Sequence, residues 1–74
     1  MKKQTRNRTL IPKAPLGRIL INAGAKRVSQ EALDVFAELL EEIALKSGEK
    51  ATRMARHAGR KTIHEEDIKL ATRE

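Results

Sequence analysis

Between Ser29 and Gly59 the chain carries one long apolar stripe. Apolar or small residues recur at Leu33, Phe36, Leu40, Ile43, Ser47, Ala51, Met54 and Ala58, in steps of three and four. That spacing marks one face of an amphipathic helix. Ser29 offers an N-cap hydroxyl and Glu31 a first-turn carboxylate, both suited to the positive end of a helix. Arg56 and His57 fall in the last turn, and Gly59 suits the left-handed position just beyond it. No proline intervenes. The spacing predicts a helix over 30–58, roughly 43 Å long. A compact domain of 74 residues has a radius of gyration of only about 11 Å. A lone copy would leave much of that stripe in water, so the pattern implies an obligate dimer whose long helices cross.

Shorter elements flank this helix. Leu16, Ile19, Leu20 and Ala23 share one face of a short helix over 16–23, with Pro15 in its first turn and Gly24 closing it. Leu10 and Ile11 are placed to pack against it. A tight loop with Lys26 and Arg27 leads into the long helix. A second loop holds Arg60 and Lys61. Thr62 and Glu65 fit a capping box for a third helix over 63–73, with Ile63, Asp67, Leu70 and Ala71 near one stripe. Ser47-Gly48, near the middle of the long helix, reads either as a local weak point or as a close crossing with another helix, where a side chain would not fit; the crossing is favoured. The plan is all-α, short–long–short. The nearest strand candidate, 16–22, is too short and too regularly helical.

Composition narrows the class. There is no cysteine, hence no disulfide framework and no thiolate metal site. Phe36 is the single aromatic, which disfavours base-stacking platforms. Residues 1–8 are polar and basic, unlike a signal peptide, and no apolar run approaches the ~20 residues of a membrane span. The expectation is a soluble cytoplasmic protein with no membrane partner. Of the 16 basic residues, Lys2, Lys3, Arg6, Arg8 and Lys13 lie in the first 13 positions; the remaining 11 face 10 acids, so most of the net charge of +6 sits at the start. Residues 1–11 read as a basic flexible tail and 12–74 as the folded domain. The tail is either a solubilising arm or a polyanion-binding one, and binding by the nearly neutral domain must rest on local placement of charge.

No enzyme site emerges. Gly59-Arg60-Lys61-Thr62 lacks the glycine directly before lysine that a phosphate-binding loop requires. His57 and His64 have no third ligand at useful spacing, so no metal is expected. Glu38, Glu41 and Glu42 read as a solvated face without a nucleophile. Neither a cofactor nor a small-molecule substrate is expected. The basic residues of the domain instead gather at element ends: Arg18 in the first helix, Lys26 and Arg27 in one loop, Arg60 and Lys61 in the other. With antiparallel long helices in a dimer, each first loop meets the partner's second loop, which pairs Lys26 and Arg27 with Lys61 and Thr62. Helix N-termini add backbone N–H groups suited to phosphate. The alternative is that these loops are merely solvated. Arg60 is also placed to reach back to Asp67 and pin the second loop.

Four runs carry a resemblance: Ala14-Pro15-Leu16-Gly17-Arg18-Ile19, Asn22-Ala23-Gly24-Ala25-Lys26-Arg27-Val28-Ser29, Ala55-Arg56-His57-Ala58-Gly59-Arg60-Lys61-Thr62-Ile63, and Glu66-Asp67-Ile68. Together they resemble the archaeal histones over 11–73. The resemblance implies a histone fold, a handshake dimer, and double-stranded DNA bound without base readout. Arginines entering the minor groove are part of what the resemblance brings. By position, Arg18 resembles the minor-groove arginine. Arg27, Lys61 and Thr62 resemble the phosphate-contacting loop residues; Lys26 in the same loop, Pro15 and Lys13, and the tail residues Lys2, Lys3, Arg6 and Arg8 are expected as further DNA contacts. Arg60 with Asp67 resembles the internal salt bridge. Met54, His57, Asp67 and Leu70 match the junction between dimers, and Gly24, Glu38, Glu42, Lys69 and Arg73 the contacts between successive turns of a fibre.

The implied function is sequence-nonspecific wrapping of DNA into nucleosome-like or extended fibres on the chromosome. The partners are DNA and the chain itself, as homodimer and higher oligomers, with room for histone paralogues. The rival reading is a histone-fold dimerisation module of a transcription complex; retention of Arg18, Arg27, Lys61 and Thr62 together favours DNA. Three departures from the family pattern stand out: the polar, flexible Ser47-Gly48, the basic tail before Pro12, and Asn22 where an acid that would pair with Arg56 is often found.

Overall fold

A computed structural model describes residues 9–73. The tail residues Lys2, Lys3, Arg6 and Arg8 lie outside that range. Three helices follow in order: α1 (Lys13–Asn22), α2 (Gln30–His57) and α3 (Glu65–Ala71). No strand occurs among the described residues. The chain divides after Glu42 into two compact units.

In the first unit, α1 starts three residues earlier than the apolar pattern predicts. Pro12 is the N-cap, with no side-chain cap bond, and Pro15 is the third helical residue. Its missing N–H matters little there, because the first turn's N–H groups have no partner within the helix. Leu16 is buried and Leu20 half-buried, but Ile19 and Ala23 are exposed. Leu10, expected to pack on α1, is 88% exposed; its backbone N–H donates instead to Glu41 Oε1 at 3.3 Å. Ser29 caps α2 as expected, its Oγ accepting the Ala32 N–H at 3.0 Å.

Both helix exits close with a Schellman motif. After α1, Gly24 donates to Ile21 O at 3.0 Å and Ala25 to Leu20 O at 3.0 Å; after α2, Gly59 donates to Arg56 O at 2.9 Å and Arg60 to Ala55 O at 2.9 Å. The motif needs a left-handed residue, and Gly24 and Gly59 have φ of 117° and 75°.

In the second unit, α3 begins at Glu65, not at Ile63. Thr62 is not its cap. His64 holds the N-cap position, and Asp67 Oδ2 accepts the His64 backbone N–H at 2.8 Å. That bond is the returning arm of a capping box, shifted two residues from the expected one.

The helices bury little on their own. Among the described residues, Leu16, Ala37, Ala51, Ala55 and Ala71 form the buried apolar set, and no large side chain is fully enclosed. Val35, Leu39 and Ile43 recur every fourth residue of α2 and are each more than half exposed. A helix with one strip turned inward and a second apolar strip in water lacks a partner. A Cβ added at Gly48 would meet nothing within 4 Å, and the Thr52 hydroxyl donates to the Gly48 carbonyl at 2.7 Å. Within one chain, Gly48 therefore has room to spare.

Candidate nucleic-acid interface

The cations expected to meet DNA stand on α1 and on two loops whose ends are closed by hydrogen bonds. In the first unit, Arg18 stands exposed on α1 and Pro15 is exposed in its first turn. Lys26 and Arg27 are exposed in loop 1 (residues 23–29), between the Gly24 turn and the Ser29 cap. Lys13 is half-buried, its Nζ 2.9 Å from Asp34 Oδ1. In the second unit, Lys61 and Thr62 are exposed in loop 2 (residues 58–64).

Loop 2 is pinned by a side-chain clasp. Arg60 Nη1 donates to Asp67 Oδ2 at 2.9 Å and Nη2 to Oδ1 at 3.1 Å. Arg60 Nη1 also donates to the Thr62 carbonyl at 3.0 Å, which sets the turn that presents Lys61. Asp67 is 4% exposed. Hydrogen bonds from the Arg60 guanidinium, then from the His64 backbone N–H, hold its carboxyl down from 3.8 to about 2, and the same clasp raises the Arg60 guanidinium above its ordinary value. The carboxylate offers about four acceptor positions, and three are filled within the chain.

The residues matched to a dimer–dimer junction differ in access. His57 and Leu70 are exposed, Met54 is half-buried and Asp67 is buried beneath Arg60. Gly24, Glu38, Glu42, Lys69 and Arg73 are all exposed, and Lys69 pairs with Glu65 one turn earlier at 2.8 Å. Two further acids are engaged: Asp34 meets Lys13, the first residue of α1, and Glu41 holds Leu10 in the segment before it. No spacing signal links Lys13 to Asp34, because the contact arises only when α1 folds back on α2. Among the described residues no group of three or more histidine or carboxylate side chains could hold a metal ion, and no helix is long and apolar enough to cross a membrane.

Three helices in short–long–short order, joined by two basic loops, define a histone-fold protein. The chain belongs to the family of histone-like transcription factors (CBF/NF-Y) and archaeal histones, whose model matches residues 9–72. It is 52% identical over 63 residues to one of the subunits of archaeal histone HAN1 from Thermococcus zilligii, covering 85% of this chain and 94% of that one. It is 54% identical over 63 residues, with the same coverage, to probable archaeal histone 3 of Methanocaldococcus jannaschii. The DNA-binding protein HmvA of the same organism is 42% identical over 60 residues, 81% of this chain and 62% of that one. Archaeal histones are architectural DNA-binding proteins that dimerise and associate with the chromosome; they are not enzymes.

Proposed function

We propose that this chain forms a head-to-tail homodimer that wraps double-stranded DNA without reading its sequence, compacting it into nucleosome-like particles or longer superhelical fibres. The observation that carries the reading is the pair of capped basic loops. Lys26 and Arg27 leave one Schellman turn, Lys61 and Thr62 the other, and each set is fixed at both ends by backbone or clasp hydrogen bonds. Loop 1 of one copy and loop 2 of its partner would then offer fixed cations to successive phosphates, with Arg18 entering the minor groove between them. The exposed strip of Val35, Leu39 and Ile43 supports dimerisation, since burying it needs a second chain. On the dimers, His57 and Leu70 would join one pair to the next, and Glu38 with Lys69 and Glu42 with Arg73 would meet across fibre turns. The seat of such a dimer is the chromosome in the cytoplasm, and its partners are DNA and further copies.

Affinity on this reading comes mainly from counterion release and falls steeply with salt, while sequence preference follows DNA bendability. Nuclease digestion over a range of protein-to-DNA ratios tests it. A ladder of evenly spaced protected lengths is the expected result. Protection without a ladder refutes wrapping and leaves coating. No protection at moderate salt refutes DNA binding and favours a dimerisation module.

A further inference from the structure

The segment leading into α1 lies along α2 in the opposite sense. Leu10 N–H meets Glu41 Oε1 at 3.3 Å, and Lys13 Nζ lies 2.9 Å from Asp34 Oδ1. Asp34 and Glu41 are seven residues apart, two helical turns, and so share one face of α2. Asp34 Oδ1 is shut off from water and accepts no directed hydrogen bond; the Lys13 ammonium is the charge beside it. The two side chains are 24% and 33% exposed, so solvent reaches the pair only in part.

We propose that Asp34 masks Lys13 from DNA, withholding one cation per chain from the phosphate backbone while the Leu10–Glu41 bond keeps the segment in place. This rests on the DNA-binding reading above and adds to it a residue that limits affinity. A lysine already neutralised by a carboxylate releases no counterion when a phosphate arrives, so it adds nothing to the salt dependence of binding. Transfer of the ammonium to a phosphate would leave the water-shielded Asp34 oxygen without its counter-charge, an unfavourable state. Replacing Asp34 with asparagine keeps the shape and removes the negative charge that holds the Lys13 ammonium back from a phosphate.

The test is the salt dependence of affinity for a short duplex DNA, read by fluorescence anisotropy with the full chain. Four proteins are compared: wild type, Asp34→Asn, the double variant Lys13→Met with Asp34→Asn, and Glu31→Gln. The last removes a carboxylate from the same helix without touching Lys13. Asp34→Asn is expected to steepen the log–log salt slope by about 0.9 per chain, the contribution of one added phosphate contact. The double variant should lose that increment and Glu31→Gln should show none. Asp34→Ser provides a second removal of the charge should the asparagine variant fail to fold. An unchanged slope in the Asp34 variants overturns the masking. So does an equal increment in Glu31→Gln, which would reduce the effect to net charge, or an increment that survives loss of Lys13. A wild type that fails to bind the duplex refutes the DNA-binding reading itself; a wild type that binds, with unresponsive Asp34 variants, refutes only the masking.

Discussion

Loops 1 and 2 leave their helices in the same way and then diverge. Ala23-Gly24-Ala25-Lys26-Arg27-Val28-Ser29 and Ala58-Gly59-Arg60-Lys61-Thr62-Ile63-His64 run in register, each from a Schellman glycine to the N-cap of the next helix. In loop 1 the cap residue serves itself, through the Ser29 hydroxyl. In loop 2 the cap residue's N–H is satisfied by Asp67 from inside the next helix, and Asp67 is in turn held by Arg60. Where loop 2 has Arg60, loop 1 has Ala25. One loop is thus fixed by a neutral local bond, the other by a charged clasp spanning seven residues. The clasp engages Arg60 in structure and leaves Lys61 and Thr62 outward. Loop 1 keeps both Lys26 and Arg27 outward.

The clasp is the point where the two loops should respond most differently. Asp67→Ala removes the bidentate partner of Arg60 and the cap of α3 together, and leaves a half-buried guanidinium without its counter-charge. It is expected to lower the thermal midpoint more than any single substitution in loop 1, measured by circular dichroism at fixed protein concentration. Loss of amide protection should begin in α3. An Asp67→Ala midpoint equal to that of Ser29→Ala would mean that the clasp adds nothing beyond an ordinary cap.

Acid should separate the loops next. The Asp67 carboxyl is held at about 2, against 3.8 for a free aspartate. A carboxylate depressed in the folded state stabilises fully above the unfolded value and loses that contribution as pH falls through the folded one. The window is therefore between pH of about 4 and 2. Loop 2 should loosen across it, while the Ser29 cap carries no titrating group and loop 1 should not. Asp67→Asn is expected to flatten the acid limb of the stability curve; an unaltered limb would assign that limb to other carboxylates.

Where the loops are alike, substitutions should act alike. Gly24→Ala and Gly59→Ala both place a Cβ at positive φ, and in neither case would it meet another atom within 4 Å. The effect is then backbone strain alone, about 1–2 kcal/mol at each site. Chemical denaturation with equal slopes for both variants checks this. A difference beyond about 1 kcal/mol, more than strain of that size would leave between two such sites, would show that the Arg60 clasp also resists distortion of its own turn.

These local rules explain what the residue pattern could and could not announce. The α2 boundaries follow from Ser29 and Gly59, whose roles depend on neighbours within a few positions. The start of α3 did not follow, because two capping signals overlap: Thr62 with Glu65, and His64 with Asp67. Arg60, which orients Asp67, decides between them, and that contact spans seven residues. The start of α1 was hidden by two prolines, either of which suits a first turn. Ala51 lies on the expected stripe and is buried; Ala37 and Ala55, which lie off it, carry too little apolar signal to stand out, yet they are buried in α2 as well. Of the expected stripe, Leu33, Phe36, Leu40, Ser47 and Met54 are half-buried, but Ile43 and Ala58 are exposed, and Ile43 lines up instead with Val35 and Leu39 in a second strip beside it. Of the expected cation set, Arg18, Lys26, Arg27 and Lys61 are all outward. Lys13 faces Asp34 through a contact 21 positions away that no local pattern encodes.

The smallest effect expected is at Ser29. Its Oγ accepts one orphan N–H of α2, that of Ala32, and replacing a serine cap with alanine costs about 1 kcal/mol. No ion is involved, so the loss should be the same at pH 3 and pH 7 and insensitive to salt. Ser29→Asp should keep the cap and add a charge at the positive end of α2, recovering stability at neutral pH and losing it again when the new carboxyl is protonated. Loop 1 would then have acquired the acid sensitivity that loop 2 owes to Asp67. If Ser29→Ala is instead strongly pH-dependent, loop 1 is coupled to a titrating group elsewhere, and the contrast between a neutral loop and a charged one fails.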